Sequence, residues 1–175
     1  MRGEGELTFL ELVKNIDNPG EWEKINGIAF KRNGGIAVTP ARGMIEKLDV
    51  LPFPLRQSGI TAYENQKDSW IPIITSRGCP FNCTYCSSCR IWGRKARLRS
   101  ARNVVDEIKE MKDKLGIRLI DFEDDTFTLI PEKVIEICDE ILRRKIKIPW
   151  SCMGRVDTLT EEMLKKIIEI EPSDT

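Results

Sequence analysis

Three cysteines stand close together in the run Arg77-Gly78-Cys79-Pro80-Phe81-Asn82-Cys83-Thr84-Tyr85-Cys86, a C-x3-C-x2-C spacing with an aromatic just before the last thiol. Thiolates are the ligands of iron-sulfur clusters. A short loop carrying three of them can hold three irons of a cubane cluster while the fourth iron keeps no protein ligand. Such an iron is open to substrate chemistry. The competing reading is a structural metal knot or inert thiols, because Cys89 follows after Ser87 and Ser88 and could complete a four-thiol set for zinc or for a fully ligated cluster. Structural zinc sites usually pair two C-x2-C knuckles separated by about a dozen residues or more, a pattern this run lacks. The bacterial ferredoxin order, C-x2-C-x2-C-x3-C with a second cluster motif, is also a poor match. The spacing favours an iron-sulfur loop.

Other chemistry-bearing residues are few. Asp124 and Asp125 follow an apolar run, Arg155 follows another, and Arg94, Lys95, Arg97, Arg99 and Arg102 form one dense basic run. Cations near a net-negative cluster would favour its reduction, although such a run is more often a solvated face, the reading preferred for Lys95 and Arg102. Cys138, between Ile137 and Ile141, and Cys152 read as core thiols. There is no histidine, so imidazole ligands and histidine acid-base catalysis are excluded for this chain.

The elements that must position these residues fall into two regions. Residues 1–69 read as a small helix plus β-hairpin linker region. Leu7, Leu10 and Val13 recur at helical spacing from about Glu6 to Ile16 and share one face. Ile25–Phe30 and Gly35–Thr39 read as strands joined through Asn33-Gly34, a pair suited to the positive φ angles of a tight hairpin. Leu51-Pro52-Phe53-Pro54 reads as an ordered linker. Residues 70–175 are regular. Strands are expected at Ile71–Thr75, Ile117–Phe122 and Ile146–Cys152, each followed by a helix: Ala101–Leu115, Pro131–Arg144, and a third ending near Ile170. Ser100 and Thr160 are the expected N-caps, Gly116 the C-terminal stop, and Pro131 a first-turn residue. Alternating strands and helices of these lengths imply an α/β fold, a partial parallel (βα) barrel with about three βα units. In such barrels chemistry gathers where strands end, and the cysteine loop, the Asp124-Asp125 pair and Arg155 all fall on that rim.

The balance of 28 Lys+Arg against 28 Asp+Glu gives no bulk attraction to nucleic acid or to a membrane. No apolar run is long enough to span a bilayer, and the N-terminus is polar rather than a signal peptide. Six cysteines in that setting point to metal ligation in a reducing, cytoplasmic compartment rather than to disulfides.

The segment Ile74–Ser88 resembles the cluster loop of the radical S-adenosylmethionine (radical SAM) superfamily. Gly93–Ser100 and Phe122–Thr128 look like the branch that carries a cobalamin-binding domain ahead of the radical domain. The resemblance implies that Cys79, Cys83 and Cys86 ligate a 4Fe-4S cluster, with S-adenosylmethionine (SAM) chelating the open iron through its amino and carboxylate groups. An electron from a flavodoxin- or ferredoxin-type donor would then give methionine and a 5′-deoxyadenosyl radical that attacks a small-molecule substrate, for methyl transfer or rearrangement in company with cobalamin. It further implies that Tyr85 packs near the adenine, that Asp124 and Asp125 lie where the methionine amino group binds, and that Arg155 is a cation facing SAM. Cys89 departs from the relatives; as a fourth ligand it would make the chain a non-catalytic iron-sulfur protein. Met1–Glu6 resembles the segment after a cobalamin domain, and the superfamily core has six βα units. The chain is therefore expected to be a fragment, or half of a split protein completed by a second polypeptide.

Overall fold

A computed structural model of the chain describes residues 1–56 and 70–171. Helix α1 (Glu6–Lys14) comes first, then a 3-10 turn at Pro19–Lys24 and the antiparallel hairpin β1 (Ala29–Arg32) and β2 (Gly35–Val38). Asn33 and Gly34 both have positive φ, 48° and 79°, the twist that suits a two-residue hairpin loop. The first strand is shorter than expected: Ile25 and Ile28 are buried ahead of it, and at Ile28 the amide turns to the Thr39 hydroxyl at 3.0 Å while the carbonyl still accepts from the Thr39 amide at 3.1 Å.

The orientation of α1 departs from the expectation. Leu7, Leu10 and Val13 are 42%, 50% and 49% exposed, and the buried residue of the helix is Thr8. Polar contacts set this orientation. The Thr8 hydroxyl donates to the Asn26 carbonyl at 3.2 Å and accepts from Arg42 Nε at 2.9 Å. Arg42 also pairs with Glu11. Apolar spacing identified the helix but not the side it buries.

The second region is a three-stranded parallel sheet in the order β3 (Trp70–Ile73), β6 (Leu119–Phe122), β7 (Trp150–Cys152). Between β3 and β6 lie a two-residue strand β4 (Ser76–Arg77), a one-turn helix α2 (Ser88–Ile91), a second short strand β5 (Arg97–Leu98) and helix α3 (Ala101–Leu115). Helix α4 (Pro131–Arg143) joins β6 to β7, and α5 (Glu161–Ile170) follows β7. This is the α/β, partial-barrel architecture read from the sequence, with three βα units.

Local chemistry fixes the helix ends. The Ser100 hydroxyl accepts from the Asn103 amide, Thr160 accepts from Met163, and Gly116 adopts the left-handed conformation at φ 59° that ends α3. The apolar faces of α3 (Val104, Val105, Ile108, Met111) and α4 (Val134, Ile137, Cys138, Ile141) close over Ile71, Ile73, Ile120 and Phe122. Each aliphatic side chain so buried contributes about 1.5–3 kcal/mol. Burial pushes the Cys138 thiol up to about 12, as its core position requires. Phe122 and Phe127 stack at 4.6 Å, with Trp150 edge-on to Phe122. Ile146 and Ile148 are buried but precede the ladder, so the third strand begins later than their apolar run suggested. Among the described residues no helix is long and apolar enough to cross a membrane.

Candidate functional site

The cysteine loop leaves the sheet at the carboxyl end of β3, through Ile74 and Thr75 into β4, and returns through β5. The loop starts with a close approach of backbone to backbone. Gly78 has φ +95°, and a β-carbon there would collide with the Lys95 carbonyl oxygen. Only glycine fits that place. The Cys79 amide then donates to the Gly93 carbonyl, and the Cys86 amide to the Cys83 carbonyl at 3.1 Å.

All six cysteines are free, with Cys79, Cys83 and Cys89 half-buried and Cys86 exposed. Among the described residues no three Cys, Asp or Glu side chains converge as a single-ion site does. A cubane takes its thiolates at separate corners. Three thiols on one loop form a soft donor set that fits an iron-sulfur group.

Two neighbouring rim loops close on this one. After β6, Asp124 turns inward and is only 3% exposed. Its carboxylate accepts from the Thr75 amide (3.1 Å), the Thr75 hydroxyl (3.0 Å) and the Ser76 hydroxyl, so it clamps the corner from which the cysteine loop departs. Burial raises its pKa, against the lowering pull of the bonds from Ser76 and Thr75. Asp125 is exposed and accepts from the Ser88 hydroxyl at the start of α2. The buried Thr126 hydroxyl lies 3.8 Å from Cys79 Sγ.

After β7, the Gly154 backbone presses on the Thr128 side chain, where a β-carbon would meet Thr128 Cγ2 at 2.9 Å. The Arg155 amide donates to Thr128 Oγ1 at 3.1 Å. The Arg155 guanidinium is thereby aimed across the rim. It lies over the Phe81 ring at 4.0 Å, donates toward Cys83 Sγ at 4.0 Å, and is braced by Asp157. Tyr85 is 90% exposed, so packing within the loop does not account for it.

The structure therefore brings Cys79, Cys83, Cys86, Asp125 and Arg155 to one rim, places Asp124 behind it, and leaves Tyr85 open. The basic run disperses. Arg97 is buried against Glu4, and Arg99 pairs with the buried Glu107. Arg94 bonds Asn82, Lys95 pairs with Glu46 in solvent, and Arg102 is exposed. Thr75, Ser76, Phe81, Thr126 and Thr128 lie within the segments that carry the family resemblance but were given no individual role from sequence; a hydroxyl or a ring beside a strand end or a cysteine was the further signal.

The sequence matches the radical SAM superfamily over residues 73–173. An uncharacterized methyltransferase from Pyrococcus horikoshii is 37% identical over 97% of this chain and 37% of its own length. An anaerobic magnesium-protoporphyrin IX monomethyl ester cyclase from Rubrivivax gelatinosus is 34% identical over 94% of this chain and 31% of its own. The chain thus spans about a third of the length of these curated relatives. Among solved structures, the cobalamin-dependent S-adenosylmethionine radical enzyme OxsB, with aqua-cobalamin and S-adenosylmethionine bound, superposes with TM-score 0.72. It is 19% identical and covers 97% of this chain and 26% of its own, a likeness of fold.

Proposed function

The chain belongs to the radical SAM superfamily, and from that membership we propose that Cys79, Cys83 and Cys86 hold a 4Fe-4S cluster with SAM on its open iron. When bound, the cluster supplies one electron, taken from a flavodoxin- or ferredoxin-type donor, to break the SAM sulfonium bond into methionine and a 5′-deoxyadenosyl radical. The reading rests above all on three free thiols sharing one loop at the carboxyl end of a parallel sheet, with a guanidinium from a neighbouring loop directed at one of them.

The chain's own residues have separable tasks in this reading. Arg155, held by Thr128 and Asp157, keeps a fixed cation beside the Cys83 thiolate and so favours the more negative, reduced state. Asp125 offers an exposed acceptor for the ammonium group of SAM. Asp124 fixes the corner of the loop behind it. Tyr85 supplies an open ring for the adenine. The methyltransferase and cyclase names of the relatives, and the cobalamin in OxsB, support methyl transfer or rearrangement on a small molecule in company with cobalamin.

Anaerobic reconstitution with iron and sulfide tests the ligand set. Cys79→Ala, Cys83→Ala and Cys86→Ala should each lose cluster iron, and Cys89→Ala should keep it. Loss of iron in Cys89→Ala would instead support a fully ligated, non-catalytic iron-sulfur protein.

A further inference from the structure

The cysteine loop is closed at its base by β4 and β5, a ribbon of only two residue pairs, Ser76 opposite Leu98 and Arg77 opposite Arg97. Such a ribbon cannot hold itself together. Isolated two-stranded pairs are marginal in water, and like charges directly opposite one another repel. Here two arginines face each other at the step that leads into Gly78 and Cys79.

One residue from the start of the chain resolves the conflict. Glu4 is 5% exposed. Its Oε1 accepts from Arg77 Nη1 and Arg97 Nη1, both at 2.9 Å, and its Oε2 accepts from the Ile45 amide at 2.6 Å. Arg97, 4% exposed, also donates to the Ile45 and Trp92 carbonyls, and Arg77 lies over the Trp92 ring and pairs with Glu6. Burial pushes the Glu4 carboxyl up, but the bonds from Ile45, Arg77 and Arg97 together bring it below its ordinary value, so it is held ionised.

We propose that Glu4 is a positioning residue for the cysteine loop: by bridging Arg77 and Arg97 it holds the β4–β5 neck shut and ties the loop's geometry to the N-terminal segment. The importance of the loop rests on the cluster reading above; the bridge itself does not need a cluster to be observed. Removing Glu4 leaves two facing cations in a site nearly closed to water, and the neck is the weakest place for that repulsion to be relieved.

Amide hydrogen exchange on the cluster-free chain reads the neck directly. In Glu4→Gln, and more strongly in Glu4→Ala, the amides of Cys79, Arg99 and the β4–β5 pairs should exchange about tenfold faster or more, the size expected for losing charge-assisted bonds. Exchange in β6 and β7 should be unchanged. Adding Arg77→Met to Glu4→Ala should restore much of the protection, because one cation no longer faces another. Neck exchange that is unchanged, exchange raised uniformly over the whole chain, or a double variant worse than the single would each overturn the proposal. Iron uptake by the parent chain separates the two claims: a parent without iron defeats the cluster reading, while the exchange pattern still decides the bridge.

Discussion

Replacing Asp124 separates a clamp from a cofactor ligand. In Asp124→Ala the Thr75 amide and hydroxyl lose their acceptor inside a site where Thr75 is 5% exposed. Two buried donors left unpaired cost about 2–6 kcal/mol together, at roughly 1–3 each. The Ser76 hydroxyl is half-buried and can turn to water, so it adds little. Asp124→Asn keeps one acceptor oxygen and removes a buried charge, so it should stay within about 1 kcal/mol of the parent. Denaturant midpoints of the cluster-free chains measure both. The pH dependence has a definite sign. Asp124 is raised by burial, so its contribution is complete below the ordinary aspartate value of 3.8 and is lost as pH climbs through the raised one. The parent should therefore lose stability relative to Asp124→Asn across that window, with no further change above it. An alanine variant as stable as the parent that nonetheless fails to respond to SAM would refute the clamp and make Asp124 a direct ligand.

Gly78→Ala should prevent cluster loading, since its β-carbon would collide with the Lys95 carbonyl oxygen and its φ of +95° is strained for alanine by about 1–3 kcal/mol; iron content after reconstitution checks this. Tyr85→Ala should leave thermal stability within about 0.5 kcal/mol, because the side chain is 90% exposed, while weakening SAM binding measured by titration. Glu107→Ala should cost about 3–5 kcal/mol in chemical denaturation, because it strands Arg56 and Arg99 around a carboxylate site that is nearly fully buried.

What could be read from the sequence was what is local. Ser100, Gly116, Pro131 and Thr160 mark helix ends through their own backbone chemistry, and the cysteine spacing identifies the loop without help from the fold. What could not be read depends on distant partners. Arg97 stood in the sequence as one member of a dense basic run, and only Glu4, 93 positions away, shows that it lies in the interior. Leu7, Leu10 and Val13 have helical spacing, yet Thr8 and its partners Asn26 and Arg42 determine which side is buried. Ile146 and Ile148 are as apolar as a strand should be, but a ladder needs an opposed backbone and β6 meets β7 only from Trp150. Asp124 and Asp125 are adjacent in sequence and face opposite ways, because Thr75 and Ser76 offer donors to only one of them.

Electron paramagnetic resonance of the anaerobically reconstituted, reduced chain with and without SAM decides whether the Cys79–Cys86 loop holds a cluster with an open iron. An open iron that takes the cofactor gives a 4Fe-4S signal that shifts when SAM is added, and that is the expected result. A cluster signal indifferent to SAM, or no cluster signal at all, would contradict it.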